Sequence, residues 1–195
     1  MFSSYTSVGF CGSRSLPESA RPLVSSVVNT VCSGPSPGLQ LAVGCSVGAD
    51  ALVLSSIPRH MFSNLTVFAA FGFGGKGSCS FSAVSIVHAA TREGAHVRWW
   101  AGGLPPVPLK QRLALRSVAL ARYLTQHPPA ALFCFLSSPT STGSLITCRR
   151  AAQSGVTIYA FCVGFSPTLL PFLNRYGGWI PVKFAGHTAF SWVQQ

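Results

Sequence analysis

Short apolar runs that end near glycine alternate along this chain with longer segments whose composition suits a helix. The segments near 17–32, 48–57, 82–93, 108–126 and 143–154 predict helices, and the runs predict strands near 7–11, 39–43, 65–70, 96–100, 130–136 and 156–162. Such alternation is typical of βα units, in which helices cover both faces of a parallel sheet. We therefore predict an α/β fold: a single-domain, Rossmann-like three-layer sandwich with a mostly parallel sheet.

The length and hydrophobic content suit one core. The chain has 195 residues, of which 48% are hydrophobic, enough for a sizeable single domain. Beyond about residue 164, prolines and glycines interrupt a series of aromatic residues. We expect one domain over 1–195 with an irregular, aromatic-rich C-terminal extension that adds one or two strands or turns to the sheet edge.

The longest stretches without Lys, Arg or Glu do not suit a membrane span. Gly and Pro residues break the segments 22–58 and 151–174 into pieces shorter than the roughly 20 apolar residues that a spanning helix needs. The N-terminus lacks the basic and apolar regions of a secretory signal. We therefore expect a cytoplasmic protein with no membrane partner.

The cysteines form an odd set of seven without any C-x-x-C pair. Most of them lie inside apolar runs, which is typical of reduced thiols that pack as small core residues. No metal-ligand spacing is present, so the sequence predicts neither a metal site nor a cofactor.

The charge is strongly unbalanced. Fourteen Lys and Arg residues face three acidic residues, for a net charge of +11 and a pI near 10.0. This imbalance favours a polyanionic partner, because phosphates neutralise such charge and are attracted over long distances. The other interpretation, a surface that is simply basic, stays open at this point.

Three glycine-containing loops each adjoin a predicted strand. They supply the candidate phosphate-binding residues, because free backbone N–H groups and a positive helix end can face an anion there. Since the carboxyl ends of parallel strands share one edge of the sheet, we expect the three loops to converge. The candidates from these loops are Gly12, Ser13 and Arg14, then Gly44, Ser46, Gly48 and Asp50, and finally Thr142, Gly143 and Ser144.

Two arginines and one aspartate carry the charge expected at this edge. Arg14 suits a bidentate phosphate contact, although it could instead pair with Asp50 or Glu18 on the surface. Arg116, on the helix near 108–126, would add a second positive charge, whereas Lys110 and Arg122 suit a solvated face. Asp50 could accept a sugar hydroxyl, hold Arg14, or only favour a helix start.

The loop at 72–78 contains four glycines and one lysine, but it lacks the G-x-x-x-x-G-K-[ST] spacing of a P-loop. It could cover a ligand or merely join a strand to a helix, and we favour the connector.

With these loops placed, the chain resembles the SLOG superfamily of Rossmann-like nucleotide-binding proteins, and within it the DNA-processing protein A (DprA) group. The resemblance covers residues 8–163 and rests on four motifs in order: 8–14, 44–50, 112–117 and 143–155. Val47 stands where the DprA loop usually has arginine, and Ser117 replaces an asparagine. The resemblance implies a module that binds single-stranded nucleic acid in DNA processing or recombination.

The chain also looks like the lonely-guy branch of the superfamily, whose enzymes hydrolyse nucleoside monophosphates with a motif glutamate. Thr147 occupies the place of that glutamate and has no carboxylate to assist bond cleavage. The five histidines are scattered and no triad order emerges. We therefore expect binding rather than catalysis.

Three functions stay open from the sequence. The first is the binding of single-stranded nucleic acid, and the second is the sensing of a nucleotide or nucleotide-derived signal. The third is hydrolysis of a glycosidic bond, with Asp50 or Glu93 in place of the missing glutamate. Neither the ligand nor a homo-oligomeric state follows from the sequence.

Overall fold

The computed structural model describes residues 5–34, 38–78, 81–99 and 107–194. Eight strands lie in this part of the chain: β1 (Ser7–Gly12), β2 (Gln40–Val43), β3 (Leu65–Ala69), β4 (His96–Trp99), β5 (Ala130–Leu136), β6 (Thr157–Cys162), β7 (Gly177–Phe184) and β8 (His187–Gln194). Each of the six strands that the sequence predicted is present, with its bounds shifted by at most two residues. Residue 100, at the predicted end of the fourth strand, lies outside the described residues.

Five helices connect these strands: α1 (Arg21–Cys32), α2 (Ala49–Ser56), α3 (Phe81–Arg92), α4 (Leu109–Thr125) and α5 (Thr142–Gln153). The helix predicted from residue 17 begins later, because Glu18–Ala20 forms a 3-10 turn and the α-helix starts only at Arg21. Pro22 near that start fits the first turn of a helix, where its missing N–H costs no hydrogen bond.

All eight strands form one sheet in the order β4-β3-β2-β1-β5-β6-β8-β7. The first six pair in parallel, and β8 pairs antiparallel with both β6 and β7. The mostly parallel α/β sandwich is therefore confirmed. The C-terminal extension is more regular than the sequence indicated, because a hairpin of two strands follows the 3-10 turn Pro167–Leu169.

The sheet separates two hydrophobic layers. Alternate residues of β5 enter opposite layers: Phe133 lies in the layer that includes α1, α2 and α3, whereas Leu132 lies in the layer that includes α4 and α5. This alternation follows from the two-residue period of a strand. Each strand at the centre of the sheet is therefore apolar on both faces. Its polar residues lie at its ends, at the edge of the sheet.

The direction in which successive strands are added to the sheet reverses between β1 and β5. From β1 the chain runs outward through β2 and β3 to β4, and it returns to the other side of β1 at β5. Open α/β sheets bind ligands outside the carboxyl ends of the strands at such a switch point. Within the described residues, the helices are too short or too polar to cross a membrane.

Candidate functional site

A cleft of about 980 Å³ opens at this switch point and contains the three predicted loops. Ten of the eleven predicted residues line it, and Gly48 is the exception: Gly12, Ser13, Arg14, Gly44, Ser46, Asp50, Arg116, Thr142, Gly143 and Ser144. The volume lies within the range of pockets that hold a small ligand. The structure therefore confirms that the three predicted loops converge.

Ser13 holds the loops together. Its backbone N–H donates to the carbonyl of Phe135 at 2.9 Å, and its carbonyl accepts from the N–H of Ala49 at 3.1 Å. Its Oγ accepts from the N–H of Ser137 at 2.9 Å and lies 2.6 Å from the Oγ of Ser141. Because the side chain is 96% buried and already bonded, Ser13 positions the loops and presents Ser141 to the cleft.

Two glycines permit this close approach. Gly48 adopts φ +75°, and a side chain there would collide with the carbonyl of Arg14. A side chain at Gly12 would collide with the carbonyl of Phe135 and with Ala49. Both positions need glycine for backbone packing, and Gly48 therefore supports the site from outside the cleft lining.

Asp50 and Arg116 form a buried ion pair at the wall of the cleft. Arg116 Nη1 donates to Asp50 Oδ2 at 2.9 Å, with the side chains 11% and 5% exposed. The same oxygen accepts from the N–H of Ser46 at 2.9 Å, and Arg116 Nη2 donates to Ser46 Oγ at 3.3 Å. A side chain at Gly44 would occupy the place of the Arg116 guanidinium. Of the roles suggested for Asp50, the structure bears out placement at a helix start, because Asp50 lies in the first turn of α2. Its ion-pair partner is Arg116 and not Arg14.

The ion pair determines the state of Arg116. Burial by itself would lower the pKa of Arg116, but the charge of Asp50 raises it overall, so the guanidinium stays protonated. Its Nε is buried and has no hydrogen-bond partner among the described residues. Since Asp50 balances its charge, Arg116 adds less net charge to the cleft than the sequence indicated.

Arg14 and Lys110 supply the positive charge of the cleft. Both are exposed and line it. Glu18 pairs with Arg21 and Asp50 pairs with Arg116, so neither of the alternative partners suggested for Arg14 is available. The sequence had assigned Lys110 to a solvated face, because helical periodicity does not show that this turn of α4 borders a cleft.

The N-terminus of α5 opens into the cleft. Thr142 and Gly143 are exposed there, Ser144 is buried, and the N-cap residue Ser141 makes no side-chain capping bond to the helix. The first N–H groups of a helix have no partner within it, so those of α5 are left for an external acceptor. A methyl group at Gly143 would meet nothing within 4 Å. Ser141 was missed by the sequence analysis, although the hydroxyl-rich segment 137–142 could have indicated it.

Apolar side chains also line the cleft. Leu113 and Ala114 of α4 and Ile146 of α5 line the cleft. Thr147 also lines it, and its Oγ1 donates to the carbonyl of Gly143 at 3.3 Å. The cleft lining therefore combines polar and positively charged residues with apolar ones.

Groups suited to proton transfer are scarce in the cleft. Within the described part of the chain, its lining includes one carboxylate, that of Asp50, and no histidine. Asp50 is bonded to Arg116, and Glu93 pairs with Arg59 at 3.5 Å. Neither carboxylate proposed to replace the glutamate is therefore unpaired in the cleft.

Three cysteines meet directly below the cleft. The Sγ atoms of Cys11, Cys134 and Cys148 lie within 4.8 Å of one another, and all three residues are buried. Hydrogen bonds from the other two thiols lower the pKa of Cys148 well below its usual value. Hydrogen bonds to Cys11 and Cys148, together with burial, raise the pKa of Cys134. Spacing along the chain could not indicate this cluster, because its members come from β1, β5 and α5.

The loop at 72–78 is held by Arg112, which the sequence analysis placed only in the motif 112–117. Arg112 is 7% exposed and donates to the carbonyls of Ala70 at 3.1 Å, Val107 at 2.9 Å, and Gly77. This anchoring agrees with a connector, and the loop residues do not line the cleft in the described part of the chain.

Comparisons of the chain with protein-family models, with curated proteins and with solved structures found no match. The resemblance to the SLOG superfamily thus stays a prediction from the four sequence motifs.

Proposed function

We propose that this cleft binds the phosphate of a nucleotide-derived ligand and does not alter it chemically. The observation that carries the proposal is the shared opening of Arg14 and the uncapped N-terminus of α5 into one cleft of about 980 Å³. Free N–H groups at a helix N-terminus and an arginine are the groups that proteins commonly use for phosphate.

The remaining walls suit the rest of a nucleotide. A phosphate near Gly143 and Arg14 leaves the base or sugar toward Leu113, Ala114 and Ile146, and an apolar wall favours the flat face of a base. Lys110 adds a second cation for a second phosphate or a charged sugar derivative. The pairing of Asp50 with Arg116 argues against a hydrolase, because no unpaired carboxylate in the described lining could act as a base.

Single-stranded nucleic acid is the second candidate, because the chain carries a net charge of +11. Arg149 and Arg150 are exposed on α5, beyond the residues that line the cleft. A strand that placed one phosphate at the helix N-terminus could extend its backbone past these residues. Such binding would weaken steeply with salt, since each neutralised phosphate releases counterions.

The test compares ligands on the wild-type chain. Inorganic phosphate, nucleoside monophosphates, ADP-ribose and a short oligothymidylate are each added in a thermal-shift assay, and affinities follow by calorimetry. At a ligand concentration about 100 times its Kd, the stabilisation is about 2.7 kcal/mol, which raises Tm by roughly 5–10 °C for a chain of this size.

Arg14→Ala is the decisive variant, because this side chain is exposed and its loss should not disturb the core. Removing one charge-assisted contact should weaken binding by about 1.5–3 kcal/mol, or roughly 10- to 150-fold. Arg175→Ala is the matched control, since Arg175 is also exposed but lies outside the cleft lining. Equal affinities for both variants, or no shift with any ligand of the panel, would exclude the cleft as a phosphate site.

A further inference from the structure

The cysteine cluster below the cleft offers a chemistry that phosphate binding does not use. Cys11 lies on β1, Cys134 is its register partner on β5, and Cys148 lies one layer above them on α5. The three Sγ atoms lie within 4.8 Å of one another. Three unrelated segments thus direct their thiols to one point, on the same side of the sheet as α4 and α5.

We propose that Cys11, Cys134 and Cys148 form a three-coordinate site for a soft, thiophilic metal ion, with Cu(I) as the ion that fits best. A metal–sulfur bond of about 2.3 Å in a trigonal site needs sulfur atoms about 4.0 Å apart. Each separation in the cluster is 4.8 Å or less, so side-chain shifts of under about 1 Å would complete the geometry.

The choice of ion follows from the ligand set. Thiolates select Cu(I), Zn²⁺ or iron–sulfur clusters, and structural Zn²⁺ almost always takes four ligands. In the part of the chain that the structure describes, the cluster contains three cysteines and no fourth histidine, cysteine or carboxylate. Cu(I) tolerates three sulfur ligands, and Leu145 and Leu132 lie in the same hydrophobic layer as the three cysteines.

The site has an entry path from the cleft. Cys11 is 7% exposed and lines the cleft, so an ion that enters the cleft reaches the first sulfur without unfolding the core. On binding, the three thiols release their protons to solvent and the ion keeps its oxidation state, so the step needs no oxidant or reductant.

The test uses the reduced wild-type chain without oxygen and Cu(I) supplied with a chromophoric chelator that competes for it. We expect one ion per chain, and X-ray absorption of that complex should show three sulfur neighbours. This measurement needs no variant. A reduced chain that takes no Cu(I) from the chelator, or a spectrum dominated by nitrogen and oxygen neighbours, overturns the proposal.

Cys134→Ala removes the most deeply placed ligand. We expect it to lower the affinity for Cu(I) by more than the roughly 10- to 100-fold loss that follows removal of a group outside the first ligand shell. Cys162→Ala is the control, because Cys162 is a half-buried thiol outside the cluster whose pKa burial raises to about 11. If both variants bind Cu(I) like the wild type, the cluster is not the site.

Thermal melting of each metal-free variant shows whether it folds. The copper site is independent of the phosphate proposal, since Arg14→Ala should leave the Cu(I) affinity unchanged. Loss of Cu(I) binding in Arg14→Ala would instead place the ion in the cleft and contradict the three-cysteine site.

Discussion

The buried ion pair between Asp50 and Arg116 makes the sharpest prediction about stability. Asp50→Asn removes the negative charge from a site that is 5% exposed and leaves the guanidinium of Arg116, 11% exposed, without its counter-charge. Breaking one side of a buried pair costs about 3–5 kcal/mol. The asparagine oxygen can still accept from the N–H of Ser46, which retains about 1 kcal/mol of that loss.

We therefore expect Asp50→Asn to lower the free energy of unfolding by about 3 kcal/mol and Asp50→Ala by about 4 kcal/mol. For a domain of this length, 1 kcal/mol corresponds to roughly 2–4 °C, so Asp50→Asn should lower Tm by about 6–12 °C. Urea titration followed by circular dichroism measures the free energy, and a calorimetric scan measures Tm.

Two comparisons isolate the pair. Arg59→Ala disrupts the exposed pair with Glu93, where the side chains are 86% and 41% exposed, and should cost less than about 0.5 kcal/mol. The double variant Asp50→Asn/Arg116→Met should recover part of the loss, because it removes the uncompensated charge together with its partner. A loss under about 1 kcal/mol in Asp50→Asn would refute the reasoning, since the pair would then behave like a solvated one.

Three further predictions concern the loops. Gly48→Ala should destabilise the fold by about 1–3 kcal/mol in urea titration, because φ is +75° and the added carbon meets the carbonyl of Arg14. A change in stability within experimental error would contradict this backbone role. Gly143→Ala should leave stability unchanged or raise it by up to about 1 kcal/mol, because nothing lies within 4 Å of the added carbon, and a loss above that size would show that the helix N-terminus is packed. Arg112→Met should increase proteolysis at residues 72–78, because the guanidinium of Arg112 holds the carbonyls of Ala70 and Gly77. Lys110→Met is the exposed control on the same helix. Unchanged cleavage in Arg112→Met would mean that other contacts anchor the loop.

Much of the fold followed from local patterns. The apolar runs at β1, β5 and β6 were enough to predict these strands, their parallel pairing and the convergence of the loops. The C-terminal hairpin was only partly predictable, because Pro181 and the paired glycines at the start of β7 are typical of irregular structure. Pairing along β8 outweighs these local preferences.

The candidate site was predictable by position and less so by role. Sequence placed Ser13, Arg116 and Asp50 at one edge, but each could have faced a ligand or a neighbour. In the structure, Ser13 bonds to the loop backbone and Arg116 pairs with Asp50. Lys110, by contrast, lines the cleft. Partners of this kind are separated by many residues along the chain, so no local pattern indicates them.

By itself, the sequence determined the α/β architecture and the edge at which polar loops gather, because strand and helix periods and glycine turns are local properties of the chain. Only the tertiary structure decided which charges stay unpaired and which thiols meet. Asp50 neutralises Arg116 across 66 positions of sequence, and three cysteines from separate elements come within 4.8 Å. Charge pairing and ligand clustering depend on distance in space, and burial then decides how strongly each group interacts.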